Sequence, residues 1–201
     1  MKIGYFSFPI LREFSFLFLP LSLWRRRAIN TIFSILRKFE EPDRILEVGC
    51  GYGLLSRKIA LLFPNSKIYA IDASSKMIEK AKRNNSFFNL YFDLNDFFTL
   101  EGKYKLIISL HVMVLFPPDS WLKKISELLD KGGIAIVTVT SPTLFTKLHR
   151  IFFKILSCEN IYLLNPDELK NLSLQFGFDV IFHPIDPYEG SYALLIKRQN
   201  P

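Results

Sequence analysis

From Asp43 onward, short uninterrupted runs of hydrophobic residues alternate with segments in which hydrophobic residues recur at helical spacing. The uninterrupted runs predict five buried strands, over residues 44–48, 67–71, 89–92, 104–109 and 134–140. The intervening segments predict helices near residues 54–62, 75–83 and 119–129. Apolar strands that alternate with helices are typical of a parallel sheet covered by helices on both faces.

The N-terminal residues carry a different pattern. Residues 1–20 are apolar and aromatic, and they predict a short helix or an irregular cap. Residues 21–39 place Ile29, Ile32 and Leu36 at the spacing of one apolar helix face. We therefore expect an amphipathic helix ahead of the first strand.

The C-terminal third ends in a helix and two strands. Pro166 is typical of a first helical position and Gly177 of a helix stop, so a helix is expected between them. Residues 179–184 and 191–198 predict two strands joined by a short loop. Before them, residues 141–157 combine an apolar stripe with basic residues at helical spacing.

A glycine-rich turn follows the first predicted strand, where Gly49, Gly51 and Gly53 come directly after Glu47. Glycine lets the chain turn sharply and lets a ligand approach the backbone. The free N–H groups at the start of the next helix suit a polar or anionic ligand group. About twenty residues further on, the second predicted strand ends in Asp72, where a carboxylate that binds ribose is expected.

The order Glu-x-Gly-x-Gly-x-Gly, then strand and Asp, resembles the cofactor site of class I S-adenosylmethionine-dependent methyltransferases. The resemblance covers roughly residues 40 to 197 and is nearest to small-molecule enzymes of the quinone-biosynthesis type. It implies an α/β, Rossmann-like fold: a seven-stranded, mostly parallel sheet with helices on both faces and an antiparallel last strand. It also implies S-adenosylmethionine as the cofactor, with in-line methyl transfer.

The resemblance further implies which residues bind this cofactor. Glu47 is expected to meet its amino group, Asp72 its ribose hydroxyls, and Asp93 with the following residue its adenine, although Asp96 is an alternative to Asp93. The expected cofactor-binding residues are Glu47, Gly49, Cys50, Gly51, Gly53, Asp72, Ala73, Met77, Asp93, Leu94 and Ser109.

His111 is the candidate catalytic residue because it follows the fourth predicted strand, where the methyl group would be delivered. A histidine there can act as a general base, since its ordinary pKa is near neutrality. The alternative is a histidine that only lines the pocket. His149 and His183 have no clustering partners, so no metal is expected, and neither Cys50 nor the isolated Cys158 resembles a nucleophile with a base.

The 201 residues carry a net charge of +7 that is unevenly distributed. Residues 1–38 carry +6 and residues 141–158 carry +3, which leaves −2 for the remainder. The resemblance places both basic segments over the carboxyl ends of the strands. We therefore expect residues 1–39 to form a helical cap over the active site, and residues 141–160 to form a helical substrate lid within the domain 40–201.

Two interpretations of these basic, apolar segments remain open. They predict either contact of residues 1–38 and 141–158 with an anionic membrane surface or only a lid with solvated charges. The first favours a small, hydrophobic or lipid-like methyl acceptor. The longest uncharged run near the N-terminus has eleven residues, fewer than the roughly twenty that a membrane span needs. We expect a cytoplasmic protein, peripheral at the inner membrane face under the first interpretation.

Other functional classes fit less well. A basic surface is compatible with an RNA methyltransferase, but the basic segments are mostly aliphatic and aromatic, so nucleic acid is an unlikely partner. A nicotinamide-dependent oxidoreductase would carry Gly-x-Gly-x-x-Gly, whereas Leu54 occupies the last position here. A non-catalytic nucleotide-binding protein of the same fold is a further alternative.

Overall fold

The computed structural model describes residues 19–83, 85–144, 146, 147, 151, 161–186 and 190–198, with residues 19–23 described by their backbone. Residues 1–18 and most of the segment 145–160 therefore lie outside the described residues. The lid prediction falls largely on that segment. The division into a cap, a domain and a lid stays a prediction.

Helices and strands alternate through most of the chain. The helices are α1 (Leu19–Leu36), α2 (Leu54–Leu62), α3 (Ser75–Arg83), α4 (Pro118–Leu128) and α5 (Pro166–Gln175). The strands are β1 (Arg44–Val48), β2 (Lys67–Asp72), β3 (Leu90–Leu94), β4 (Tyr104–Ser109), β5 (Leu129–Thr140), β6 (Phe178–Asp186) and β7 (Ser191–Arg198). A short 3-10 turn, Met113–Leu115, lies between β4 and α4.

The strands form one seven-stranded sheet in the order β3-β2-β1-β4-β5-β7-β6. The pairs from β3 to β5 are parallel, and β7 runs antiparallel to both β5 and β6. The predicted fold, with its antiparallel last strand, is confirmed. Chain order reverses at β1, between β2 and β4, and ligands of open α/β sheets bind at the carboxyl ends of strands beside such a point.

The fifth strand starts earlier than the sequence pattern predicts. It begins at Leu129, which pairs with Tyr104, and the register shifts before Leu106 pairs with Ile134. The intervening Gly132 has a φ of 67°, a left-handed conformation that glycine adopts without strain. Gly132 and Gly133 therefore lie in an irregular part of the strand, ahead of the predicted start at residue 134.

Alternate residues of each strand face opposite sides of the sheet. In β1, Ile45 packs with α1, α2 and α3, while Leu46 packs with α4 and α5. Glu47 shares the side of Ile45 and is buried. The carboxyl group of Glu47 is therefore on the side of the sheet that α1 and α2 cover.

Helix α1 shares a hydrophobic core with the sheet. Ala28, Ile32 and Leu36 are fully buried and belong to the same cluster as Ile45 and Leu195. The helix packs on β6 and β7. In the described part of the chain, no helix combines the length and the apolar character needed to cross a membrane.

Candidate functional site

The glycine turn lies at the carboxyl ends of β1 and β2 and is held by the second strand. The carbonyl oxygen of Ile71 accepts the N–H of Gly49 at 2.8 Å and the N–H of Cys50 at 2.9 Å. The N–H of Gly53 donates to the carbonyl of Cys50 at 3.0 Å. The turn is thus fixed by hydrogen bonds between backbone groups.

Two of the glycines are required by both conformation and space. Gly49 has a φ of 73°, and a Cβ atom there would lie 2.0 Å from Cγ2 of Val112. Gly53 has a φ of 82°, and its Cβ would lie 2.5 Å from Cζ of Phe92. The sequence indicated the glycines but not Val112, which follows β4 and packs over the turn.

Asp72 connects the glycine turn to the start of α3. Its carboxylate is buried and accepts the N–H of Gly51 at 2.8 Å and the N–H of Ser74 at 3.0 Å, one on each oxygen. Each oxygen of a carboxylate has a second lone pair. The group can therefore shape the turn and still accept hydrogen bonds from a ligand. Ala73, beside it, is exposed.

Glu47 is a buried acid with an incomplete set of partners. Its Oε2 is buried and has no hydrogen-bond partner among the described residues. Burial raises the pKa of Glu47 to about 7; Ser56 and the charge of Arg25 oppose this effect, and Asp72 adds to it. The Ser56 hydroxyl lies near enough to the Glu47 carboxyl group to lower its pKa. However, the hydroxyl has no partner in hydrogen-bond geometry among the described residues.

The residues expected at the adenine lie at the sheet edge beside Asp72. Asp93 and Leu94 end β3 and are exposed, with Leu94 in register with Asp72. Asp96 accepts the N–H of Phe98 at 2.9 Å within its own turn. Position therefore favours Asp93 over Asp96 for contact with a ligand at this edge. The half-buried Met77 lies in the first turns of α3.

The carboxyl end of β4 brings Ser109 and His111 to the same edge of the sheet. The buried hydroxyl of Ser109 donates to the carbonyl of Val48 at 3.2 Å. His111 is exposed and has a φ of 64°, and its N–H donates to Oγ1 of Thr138 at 2.8 Å. A left-handed conformation at a non-glycine residue is strained and concentrates at functional sites.

Helix α1 contributes two consecutive residues that the sequence patterns did not identify. The ring of Trp24 lies 3.6 Å from that of His111, measured between centroids. The guanidinium of Arg25 donates to the hydroxyl of Tyr52 at 3.1 Å and lies 5.2 Å above the centre of its ring. Lys80 of α3 lies 5.6 Å from the same ring, so cations from two helices contact the ring of Tyr52.

Among the described residues, no three His, Cys, Asp or Glu side chains cluster as metal ligands would. His183 lies on β6, at the sheet edge opposite β3. His149 and Cys158 lie outside the described residues.

A family model described as a methyltransferase domain matches residues 40–172 of the chain, which confirms the family resemblance. The chain is 42% identical over 106 residues to malonyl-[acyl-carrier protein] O-methyltransferase 1 of Ilyobacter polytropus, covering 50% of this chain and 40% of that protein. It is 28% identical over 149 residues to the malonyl-[acyl-carrier protein] O-methyltransferase of Bacillus cereus, covering 68% and 53%. The chain spans about half the length of these curated relatives.

Solved structures share the fold. Magnesium protoporphyrin IX methyltransferase from Synechocystis, with bound SAH, superposes with a TM-score of 0.71 at 18% identity, covering 89% of this chain and 85% of that one. Human N-acetylserotonin methyltransferase, in complex with SAM, superposes with a TM-score of 0.67 at 20% identity, covering 88% and 52%. At these identities the likeness concerns the fold alone.

We predict that Gly49→Ala destabilises the protein more than Gly132→Ala. Both glycines have a positive φ, but a Cβ at Gly132 meets nothing within 4 Å. Gly132→Ala therefore costs only the left-handed conformation, about 1–2 kcal/mol. Gly49→Ala adds overpacking against Val112, about 1–3 kcal/mol more. Urea unfolding of both variants measures the difference, and equal losses would contradict the crowding at Gly49.

We predict that Glu47 makes the protein less stable as pH rises from 4.5 to 7. Its ordinary pKa is 4.5 and the folded value is about 7, so in this window the folded state holds a proton that the unfolded state has released. The loss is on the order of 3 kcal/mol in total and levels off above pH 7. Urea unfolding at several pH values should show this slope in the wild type and its reduction in Glu47→Gln. Parallel pH profiles for the two proteins would disprove it.

Proposed function

The chain belongs to the methyltransferase domain family, which uses S-adenosylmethionine, and on this premise we propose that it transfers a methyl group from this donor to a small, hydrophobic acceptor. The observation that carries the proposal is the buried, unpartnered Oε2 of Glu47 next to the glycine turn. A buried polar atom without a partner is unfavourable. A ligand that brings an ammonium group to this oxygen would supply the missing partner.

The residues present fit the methyl donor. Gly49 and Gly53 adopt the left-handed conformation and pack under Val112 and Phe92, which fixes the backbone of the turn that the donor would approach. The donor has an ammonium group for Glu47 and a ribose whose hydroxyls can donate to the remaining lone pairs of Asp72. Leu94, exposed beside Asp72, offers an apolar contact for the adenine.

When bound, S-adenosylmethionine supplies an electrophilic methyl group on a positively charged sulfur. The contribution that we propose for the chain is alignment, because an in-line displacement needs nucleophile, methyl carbon and leaving sulfur to be collinear. Holding reactants in that geometry removes a large part of the barrier. In this proposal Glu47, Asp72 and the glycine turn fix the donor, while Trp24 and His111 line the side from which the acceptor approaches.

We propose an oxygen atom as the acceptor. The curated relatives are named O-methyltransferases, and a carboxylate or phenolate oxygen is nucleophilic without a general base. His111 then needs only to line the acceptor side, with its ring against Trp24. A hydroxyl acceptor would instead require His111 to take the proton. The relatives give no support to an RNA substrate or to a non-catalytic role.

We also propose that the enzyme works in the cytoplasm and meets its acceptor at an anionic membrane surface. The apolar face of α1 is used in the core, so the described part of the N-terminal segment has only its charges available for a membrane. Arg37 and Lys38 follow the helix and are exposed. Basic residues at a surface favour anionic lipid by about 1 kcal/mol each.

We expect Asp72→Ala to weaken the binding of S-adenosylmethionine by at least about tenfold, because hydrogen bonds to a charged group are worth about 1.5–3 kcal/mol. Titration calorimetry with S-adenosylmethionine and with NAD measures this. Glu79→Ala, which removes an exposed carboxylate from α3, serves as the control and should bind as the wild type does. Unchanged affinity in Asp72→Ala, or preferential binding of NAD, would refute the proposal.

Co-sedimentation with vesicles tests the membrane contact. The wild type should sediment with vesicles that contain phosphatidylglycerol and not with pure phosphatidylcholine, and Arg37→Glu should reduce its apparent affinity about fivefold or more. Lys123→Glu makes the same charge change at an exposed position on α4, on the opposite side of the sheet, and should have a smaller effect. Equal partition into both vesicle types would rule out the electrostatic contact.

A further inference from the structure

The first described side chains of α1 reach both sides of the proposed site. Trp24 lies against His111 at the end of β4, and the next residue, Arg25, lies against Tyr52 in the glycine turn. Trp24 is buried and Arg25 is half-buried. One turn of a helix that precedes the sheet in the chain therefore contacts the donor side and the acceptor side together.

Arg25 is positioned beside the buried acid. Tyr52, which its guanidinium contacts at 3.1 Å, lies in the turn that follows Glu47 directly. The charge of Arg25 acts on Glu47 and favours its ionised form. A positive and a negative side chain thus lie near each other at the start of the glycine turn.

The other cations near Tyr52 are placed differently. Arg57 donates to the carbonyl of Tyr52 at 2.9 Å and to that of Ala81 at 2.9 Å, so its guanidinium already bridges two backbone groups. Lys80 reaches the Tyr52 ring, but its charge is not among the causes that shift Glu47. Of these three cations, Arg25 is the one whose charge lowers the pKa of Glu47, and it is held at the glycine turn by its contact with Tyr52.

We propose that Arg25 binds the carboxylate of the methyl donor. This inference rests on the function proposed above. The amino-acid end of S-adenosylmethionine has an ammonium and a carboxylate on one carbon atom, so an acid and a base that lie close together suit it as binding partners. Glu47 and Arg25 are such a pair, contributed by β1 and by α1.

The chemistry of arginine suits this role. Its planar guanidinium matches a carboxylate with two parallel hydrogen bonds, and such charge-assisted bonds are stronger than bonds to a neutral group. The hydrogen bond from Arg25 to Tyr52 has a neutral hydroxyl as its acceptor, so a carboxylate would be the stronger acceptor. Because arginine has five N–H donors, Arg25 can keep its contact with the Tyr52 hydroxyl while it binds a carboxylate.

The proposal gives α1 a part in donor recognition. The residues from which the family resemblance builds the donor site, Glu47 to Ser109, all follow α1 in the chain. Arg25 would add a residue that fixes the amino-acid end of the donor from outside the sheet. Binding of the donor and docking of α1 on the glycine turn would then stabilise each other.

Calorimetry with a matched pair of ligands tests this role. S-adenosylmethionine and decarboxylated S-adenosylmethionine differ in the carboxylate alone. We expect Arg25→Met to weaken binding of S-adenosylmethionine by about 10- to 100-fold and to change binding of the decarboxylated ligand by less than about threefold. Arg25→Lys, which keeps the charge, should recover part of the loss.

Arg26→Met is the control variant, because Arg26 is the exposed neighbour on the same helix and makes the same change in net charge. It should bind both ligands as the wild type does, and thermal unfolding should show all three variants folded. An equal loss for both ligands in Arg25→Met would overturn the proposal by showing a merely structural role through Tyr52. No loss for either would overturn it as well. If the wild type binds neither ligand, the proposed function itself fails.

Discussion

The end of β2 holds the glycine turn, and the geometry of the site depends on this contact. Ile71 provides the carbonyl and Asp72 the carboxylate that accept the N–H groups of the turn. A buried carboxylate is unfavourable unless donors surround it, and an extended loop of glycines is unfavourable unless it is tied down. The acid and the turn therefore stabilise each other, and the turn that they form packs against Val112.

Helix α1 contacts the rest of the domain through two of its arginines. Arg27 forms an ion pair with the buried Asp186 at the end of β6, and Arg25 contacts Tyr52 on the glycine turn. After them, the apolar face of the helix from Ala28 to Leu36 completes the core on that side of the sheet. The helix is thus part of the domain core and also part of the surroundings of the site. A change in how the helix packs will therefore also change the site.

The sheet could be predicted from the sequence because its signal is local. Each apolar run forms a strand, and the spacing from Gly49 to Asp72 spans a single strand–helix–strand unit. The pairs that complete the site could not be predicted in this way. Arg25 and Tyr52 are 27 residues apart, and their contact depends on how α1 docks on the sheet. The hydrophobic pattern within each segment does not predict that docking.

Cys50 gives the glycine turn a chemical reporter. Its thiol is buried within the turn, and its backbone is held by the second strand. A thiol reagent can reach it only when this part of the domain opens locally, since thiolate reactivity requires access. The rate of its alkylation therefore reports how often the site opens locally. This rate can be measured without substrate or turnover.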